Sequence, residues 1–144
     1  MFREGWDHVR VQYEEAKDGY IVHSVDVETV EPLDYPKRLT LFPNGIIHDM
    51  REDSILLHRR DGTVILLKDE LLRTIFLIVH DHAFALKPIT VDKLTRLVES
   101  WDEELDEDLA EEITLRLLTV LDALNLLNYV MFEEQEEKQV EDGF

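Results

Sequence analysis

Short runs in which apolar residues alternate with polar ones fill the first half of the chain and predict β-strands. Residues 9–13 and 20–30 show this alternation on either side of a Lys17-Asp18-Gly19 turn. Residues 54–60 and 63–68 flank Asp61-Gly62, a dipeptide that adopts positive φ at low cost. We therefore predict antiparallel β-hairpins within a β-rich half that spans residues 1–68.

From Asp69 onward the apolar spacing becomes helical, and it predicts three helices followed by an extended segment. Asp69 and Thr90 are suited to cap the first two helices. The third helix should end near Asn125 to Asn128, because asparagine tolerates a left-handed backbone. We predict an α+β fold of one domain, with a helical half at 69–132 and an acidic, flexible tail at 133–144.

The second half resembles a winged helix-turn-helix domain in the order of its elements. The segment from Leu117 to Val130, LLTVLDALNLLNYV, looks like a third helix that runs into a first wing strand. Asn125 stands where such domains often have glycine. The resemblance covers roughly residues 69–135 and implies a DNA-binding fold. However, Arg116 is the one cation of the third helix, whereas DNA-reading helices offer basic and polar side chains to the groove.

The amino-acid composition of the chain excludes several classes of function. The chain has no cysteine, which excludes a disulfide framework, a thiolate nucleophile and a sulfur-based zinc site. Residues 1–10 are charged and lack the apolar core of a signal peptide, so we expect a cytoplasmic protein that is not inserted in a membrane. No phosphate loop, dinucleotide-binding glycine motif or nucleophile elbow occurs, so we expect neither a cofactor nor enzymatic activity.

Charge is the most informative property of the sequence. The net charge is −18, which disfavours direct binding of nucleic acid. Acidic residues number 33, of which 20 follow residue 67, and nine of the fourteen residues at 99–112 are acidic. Two explanations compete with partner binding: acids stabilise the start of a helix, and an acidic surface suits a salt-loving host. A calcium loop is disfavoured because its glycine and regularly spaced oxygens are missing.

We predict a partner-binding surface on this acidic stretch and on two tryptophans that could anchor an interface. The predicted residues are Glu99, Trp101, Asp102, Glu103, Glu104, Asp106, Glu107, Asp108, Glu111 and Glu112, together with Trp6 near the N-terminus.

Basic and histidine residues form two smaller candidate sites. His58, Arg59 and Arg60 could contact phosphate or an acidic partner, or could belong to a solvated turn that pairs with Asp61. His80-Asp81-His82 could suggest a metal site, but residues two apart on a helix point away from each other. We expect no metal site and place these residues at the polar end of the first helix.

The sequence thus predicts a non-enzymatic regulator or inhibitor that engages a basic surface of a nucleic-acid-handling protein, such as a polymerase, a nuclease or a repressor. This profile fits a protein of a virus or mobile element. Two alternatives stay open. One is a winged-helix transcription regulator that binds DNA as a homodimer. The other is a structural subunit whose apolar surface is covered by neighbouring chains.

Overall fold

The computed structural model describes residues 11–132, which form two β-sheets and three α-helices. The strands are β1 (Val11–Ala16), β2 (Gly19–Val25), β3 (Thr40–Pro43), β4 (Ile46–Met50), β5 (Ile55–His58), β6 (Val64–Leu67), β7 (Ile89–Thr90) and β8 (Leu127–Val130). The helices are α1 (Glu70–Phe84), α2 (Val91–Glu99) and α3 (Glu107–Ala123). The predicted α+β fold class is confirmed, with most strands in the first half and the helices in the second.

The first sheet has five strands in the order β1-β2-β6-β5-β4. Its hairpins β1–β2 and β5–β6 lie where the alternation and the turn residues predicted them. Gly62 has a φ of +90°, the backbone conformation for which glycine is suited at this turn. The extended pattern ends at Val25, earlier than predicted, because the chain forms a 3-10 helix at Val27–Thr29. The Val25 backbone N–H donates to a carboxylate oxygen of Asp69 over 3.0 Å.

The pairing of β2 with β6 is parallel, a contact that lies outside the predicted antiparallel hairpins. The two strands are far apart in sequence, and local turn signals carry no information about such a pairing. Gly19 makes it sterically feasible, because a Cβ atom at this position would lie 1.6 Å from the carbonyl oxygen of Val64. A glycine that looks like a turn residue is therefore also required for the close approach of two strands.

The second sheet has three antiparallel strands in the order β7-β3-β8. Its central strand comes from the first half of the chain and its edge strands from the second. The backbone N–H of Val91, at the start of α2, also donates to the carbonyl oxygen of Leu39, just before β3. The two predicted halves are consequently joined through a shared sheet, and the boundary near residue 68 marks only a change from strands to helices.

All three helices begin at residues whose side chains accept a backbone hydrogen bond. Asp69, Thr90 and Asp106 accept from the N–H groups of Leu72, Lys93 and Leu109, respectively. The caps predicted at Asp69 and Thr90 are confirmed. The other carboxylate oxygen of Asp69 holds Val25, so this side chain fixes α1 against the end of β2.

Helices α1 and α3 end in left-handed residues, Leu86 with a φ of 62° and Asn125 with a φ of 57°. Asn125 matches the predicted helix end. In both cases the next backbone N–H donates to a carbonyl five residues earlier, from Lys87 to His82 and from Leu126 to Leu121. Leu86 was not predicted, since a leucine in this conformation carries a steric penalty.

One hydrophobic core connects the sheets and helices. Its large, fully buried side chains include Leu41, Leu57, Ile65, Phe76, Leu94 and Leu117. No helix within residues 11–132 is both long and apolar enough to cross a bilayer. Trp6 and the predicted flexible tail at 133–144 lie outside the described residues.

Candidate protein-binding surface

The acidic stretch, residues 99–112, covers the end of α2, the connecting loop and the first turns of α3. Glu99 and Glu111 are half-buried, and the other seven acids are exposed. Two of the exposed acids have structural roles: Asp102 accepts from the Glu104 N–H, and Asp106 caps α3. Local structure therefore explains only part of the acidity, as the sequence suggested.

Few cations neutralise this surface. Lys37 Nζ lies 4.0 Å from a carboxylate oxygen of Glu111, and Arg116 lies 2.5 Å from Glu112 one helical turn away. The remaining seven acids of the acidic stretch form no ion pair with any residue between 11 and 132. This surface consequently presents an uncompensated negative field to solvent.

A cleft between α2 and α3 brings three of the predicted acids together. Glu99 of α2 and Glu107 and Glu111 of α3 line a space of about 260 Å³. Two cations also line it: Arg96, which pairs with Asp92 over 2.6 Å, and Lys37, which lies against Glu111. The cleft is thus bordered by carboxylates from two helices and has room for a long basic side chain.

Exposed apolar side chains accompany the acids. Trp101 is 40% exposed, and Leu97 and Leu109 are exposed to a similar extent. Leu97 lies within α2, whereas Trp101 lies in the loop that follows its last residue, Glu99. Apolar side chains surrounded by charge are typical of protein interfaces.

The predicted basic site divides into residues with different roles. Arg59 is only 3% exposed, and its guanidinium donates to the carbonyl oxygen of Leu124 over 2.7 Å, to Asp61 over 2.9 Å and to Thr63 over 2.9 Å. Its side chain is therefore not available for the contact with phosphate or an acidic partner that the sequence had suggested. Arg60 is exposed and His58 is half-buried, so these two residues retain access to solvent.

Arg59 has a structural role that the sequence did not reveal. Leu124 follows the last residue of α3, where unpaired carbonyl groups carry the negative end of the helix dipole. The guanidinium joins this helix end to the β5–β6 turn. Hydrogen bonds from the backbone and the side chain of Thr63, and after them the hydrogen bond and charge of Arg59, lower the pKa of Asp61 below its usual range. No local pattern indicates a contact between residues 65 positions apart.

Histidines form a pair but no metal cluster. The rings of His48 and His58 stack with centroids 4.6 Å apart, on neighbouring strands β4 and β5. No local sequence pattern indicates this contact. His82 donates to the carbonyl oxygen of Ile78 within α1 over 2.8 Å, as suits a helix end. Within residues 11–132, no group of three or more His, Asp or Glu side chains is arranged to hold a metal ion.

A buried tyrosine connects the loop before β3 to α3. Tyr35 Oη donates to Asp122 over 2.7 Å, and the Leu33 backbone N–H donates to the hydroxyl of Thr119 over 2.8 Å. Burial, together with the Asp122 hydrogen bond, raises the pKa of Tyr35 well above its ordinary value. The pKa of Tyr129 is raised as well. The negative charge of Asp122 contributes most to this shift, and burial contributes less.

Comparison of the chain with protein-family models, with curated proteins and with solved structures finds no match.

Proposed function

We propose that this protein is a non-enzymatic regulator or inhibitor whose acidic stretch binds a basic surface of a nucleic-acid-handling protein. The single observation that carries the proposal is the set of seven acids that have no ion-pair partner among residues 11–132. Like charges held close together destabilise a folded chain unless a partner of opposite sign compensates them. A basic partner would remove that repulsion on binding.

The geometry adds features that favour a protein as the partner. The carboxylates of Glu99, Glu107 and Glu111 border one cleft and could receive an arginine or lysine side chain. Trp101 and Leu109, within the acidic stretch, are exposed and offer apolar contact area. Grooves that hold nucleic-acid phosphates are lined with such cations, which is why a polymerase, nuclease or repressor is the expected class of partner.

Capture from host lysate tests the proposal. The immobilised protein is expected to retain basic, nucleic-acid-handling proteins at low salt and to release them at high salt, also after nuclease treatment. The triple variant Glu99→Lys, Glu103→Lys and Glu107→Lys should lose them. Retention of the same proteins by this variant would contradict the proposal.

A second triple variant with the same change in net charge serves as the control. Glu31→Lys, Glu52→Lys and Glu70→Lys produce the same change in net charge away from the acidic stretch. Glu70 is the first residue of α1, as Glu107 is of α3, so both triples place one lysine unfavourably at a helix start. This control should still capture the partner. Equal loss in both variants would point to a nonspecific effect of net charge.

A winged-helix DNA-binding regulator is the second candidate, supported by the order α1, β7, α2, α3, β8. Strand β8, which would be the first wing strand, pairs with β3 from the first half of the chain. Arg116, the one cation of α3, is paired with Glu112. Fluorescence anisotropy with labelled duplex DNA separates the candidates: salt-sensitive binding would favour this one, and no binding is expected from the first.

A further inference from the structure

A second cleft lies at the junction of the two sheets. It differs from the acidic stretch in the charge of its residues. Strands β3, β4, β5 and β8 and the end of α1 border a space of about 500 Å³. This volume falls within the range of small-molecule sites. The side chains of Phe42, Ile46 and Phe84 form its apolar part, and His58, Arg60 and Asn128 supply polar groups.

The charge of this cleft is opposite to that of the molecule. Among residues 11–132, no aspartate or glutamate lines it, although the chain carries a net charge of −18. Arg60 makes no ion pair with any residue of the described part, and His58 is held against the ring of His48. An exposed guanidinium beside an apolar cleft is suited to a carboxylate, sulfonate or phosphate.

The apolar part is open to solvent. Phe84 is 64% exposed and Ile46 is 59% exposed, which is unusual for large apolar side chains that border a cleft. Gly45, in the turn between β3 and β4, also lines the cleft, and a Cβ atom there would lie 2.8 Å from the carbonyl oxygen of His58. Glycine therefore allows this turn to lie close to the end of β5.

We infer that this cleft binds a small amphipathic anion. The apolar body of the ligand lies between Phe42, Ile46 and Phe84, and its anionic group faces Arg60 and His58. This site is independent of the acidic stretch, so its existence does not depend on the proposed protein partner.

Two fluorescent probes of similar shape test the inference. Anilinonaphthalene sulfonate carries an anionic group, whereas N-phenyl-1-naphthylamine is neutral. Both should bind saturably with one molecule per chain. Phe84→Ala should weaken both probes about fivefold, because it removes an aromatic contact. Arg60→Ala should weaken the sulfonate about three- to tenfold and the neutral probe less than about twofold.

Matched controls use an exposed apolar residue and an exposed arginine away from the cleft. Leu33→Ala and Arg51→Ala should leave both affinities unchanged. Circular dichroism and cooperative unfolding check that each variant is folded, and Ile46→Ala replaces Phe84→Ala if that variant is not. Nuclear Overhauser contacts from the sulfonate to Phe84 and Ile46 would locate it.

Several results would overturn the inference. These are the absence of saturable sulfonate binding, equal weakening of both probes by Arg60→Ala, and equal effects of the control variants. Binding only of peptides with acidic and aromatic residues, and not of either probe, would also overturn it, because the cleft would then be a protein-docking site.

Discussion

Neighbouring residues of the same type have different environments in this protein, and Arg59 and Arg60 are the clearest case. Both follow β5, and both looked like members of one basic cluster. Arg59 is buried against the end of α3, whereas Arg60 is exposed beside the cleft between the sheets. The sequence identified the cluster but could not separate the two roles, since the partner of Arg59 is a backbone carbonyl far along the chain.

Replacing each arginine by methionine tests this division. Arg59→Met should lower the free energy of unfolding by about 2–4 kcal/mol, because it removes the donor to the Leu124 carbonyl and the ion pair with Asp61. Arg60→Met should change it by no more than about 0.5 kcal/mol. Urea unfolding at unchanged m-value measures both, and equal effects would contradict the structural role of Arg59.

Tyr35 gives the fold a dependence on alkaline pH. Its pKa is raised in the folded state, so the protonated form is favoured there and the stabilisation is complete below the ordinary tyrosine pKa of about 10. Stability should therefore fall as the pH rises above that value. Tyr35→Phe should cost roughly 1.5–3 kcal/mol at neutral pH through loss of the Asp122 hydrogen bond, and should make the alkaline decline shallower.

Thermal unfolding across alkaline pH measures this slope. Tyr129→Phe serves as the comparison, since Tyr129 faces the same carboxylate from an exposed position, and its effect should be smaller. A Tyr35→Phe protein with an undiminished alkaline decline would show that another group titrates.

At the scale of elements, the helices were easier to predict than the sheets. Caps at Asp69 and Thr90 and the left-handed Asn125 are local features, and each appears where the sequence indicated. The parallel pairing of β2 with β6 and the insertion of β3 between β7 and β8 are long-range features. A strand's own pattern specifies which face is apolar, but not which distant strand lies beside it.

The end of α1 provides a test of backbone strain. Leu86 is 88% exposed and left-handed, so its side chain gains little from packing while its Cβ carries a steric penalty. Leu86→Gly should raise the free energy of unfolding by about 0.5–1 kcal/mol. Leu86→Ala keeps the Cβ atom and should give no such gain. If the glycine variant is no more stable than the alanine variant, the backbone at Leu86 is not strained.

At the scale of the whole molecule, charge and shape together define the candidate surface. The acidic stretch could be identified from the sequence alone, because nine of its fourteen residues are acidic. It could not show that Glu99, Glu107 and Glu111 line one cleft, or that Trp101 is exposed in the loop after α2. Both features depend on where α2 ends and on how α3 packs against it.

Self-repulsion of this charge should make stability depend on salt. Raising NaCl from about 0.05 M to about 0.5 M should increase the urea midpoint, because screening weakens repulsion between exposed acids. A variant with Glu103→Gln, Glu104→Gln and Asp108→Asn should show a smaller increase. An unchanged midpoint in the unmodified protein would mean that the acids do not oppose folding.

The most direct test of the central claim is the affinity of the acidic stretch for a defined basic ligand. Fluorescence anisotropy with a labelled oligoarginine peptide should show salt-sensitive binding to the unmodified protein and to the Glu31, Glu52 and Glu70 lysine variant. Binding should be lost in the Glu99, Glu103 and Glu107 lysine variant. Equal affinity of the two triple variants would contradict the claim that this surface is the binding site.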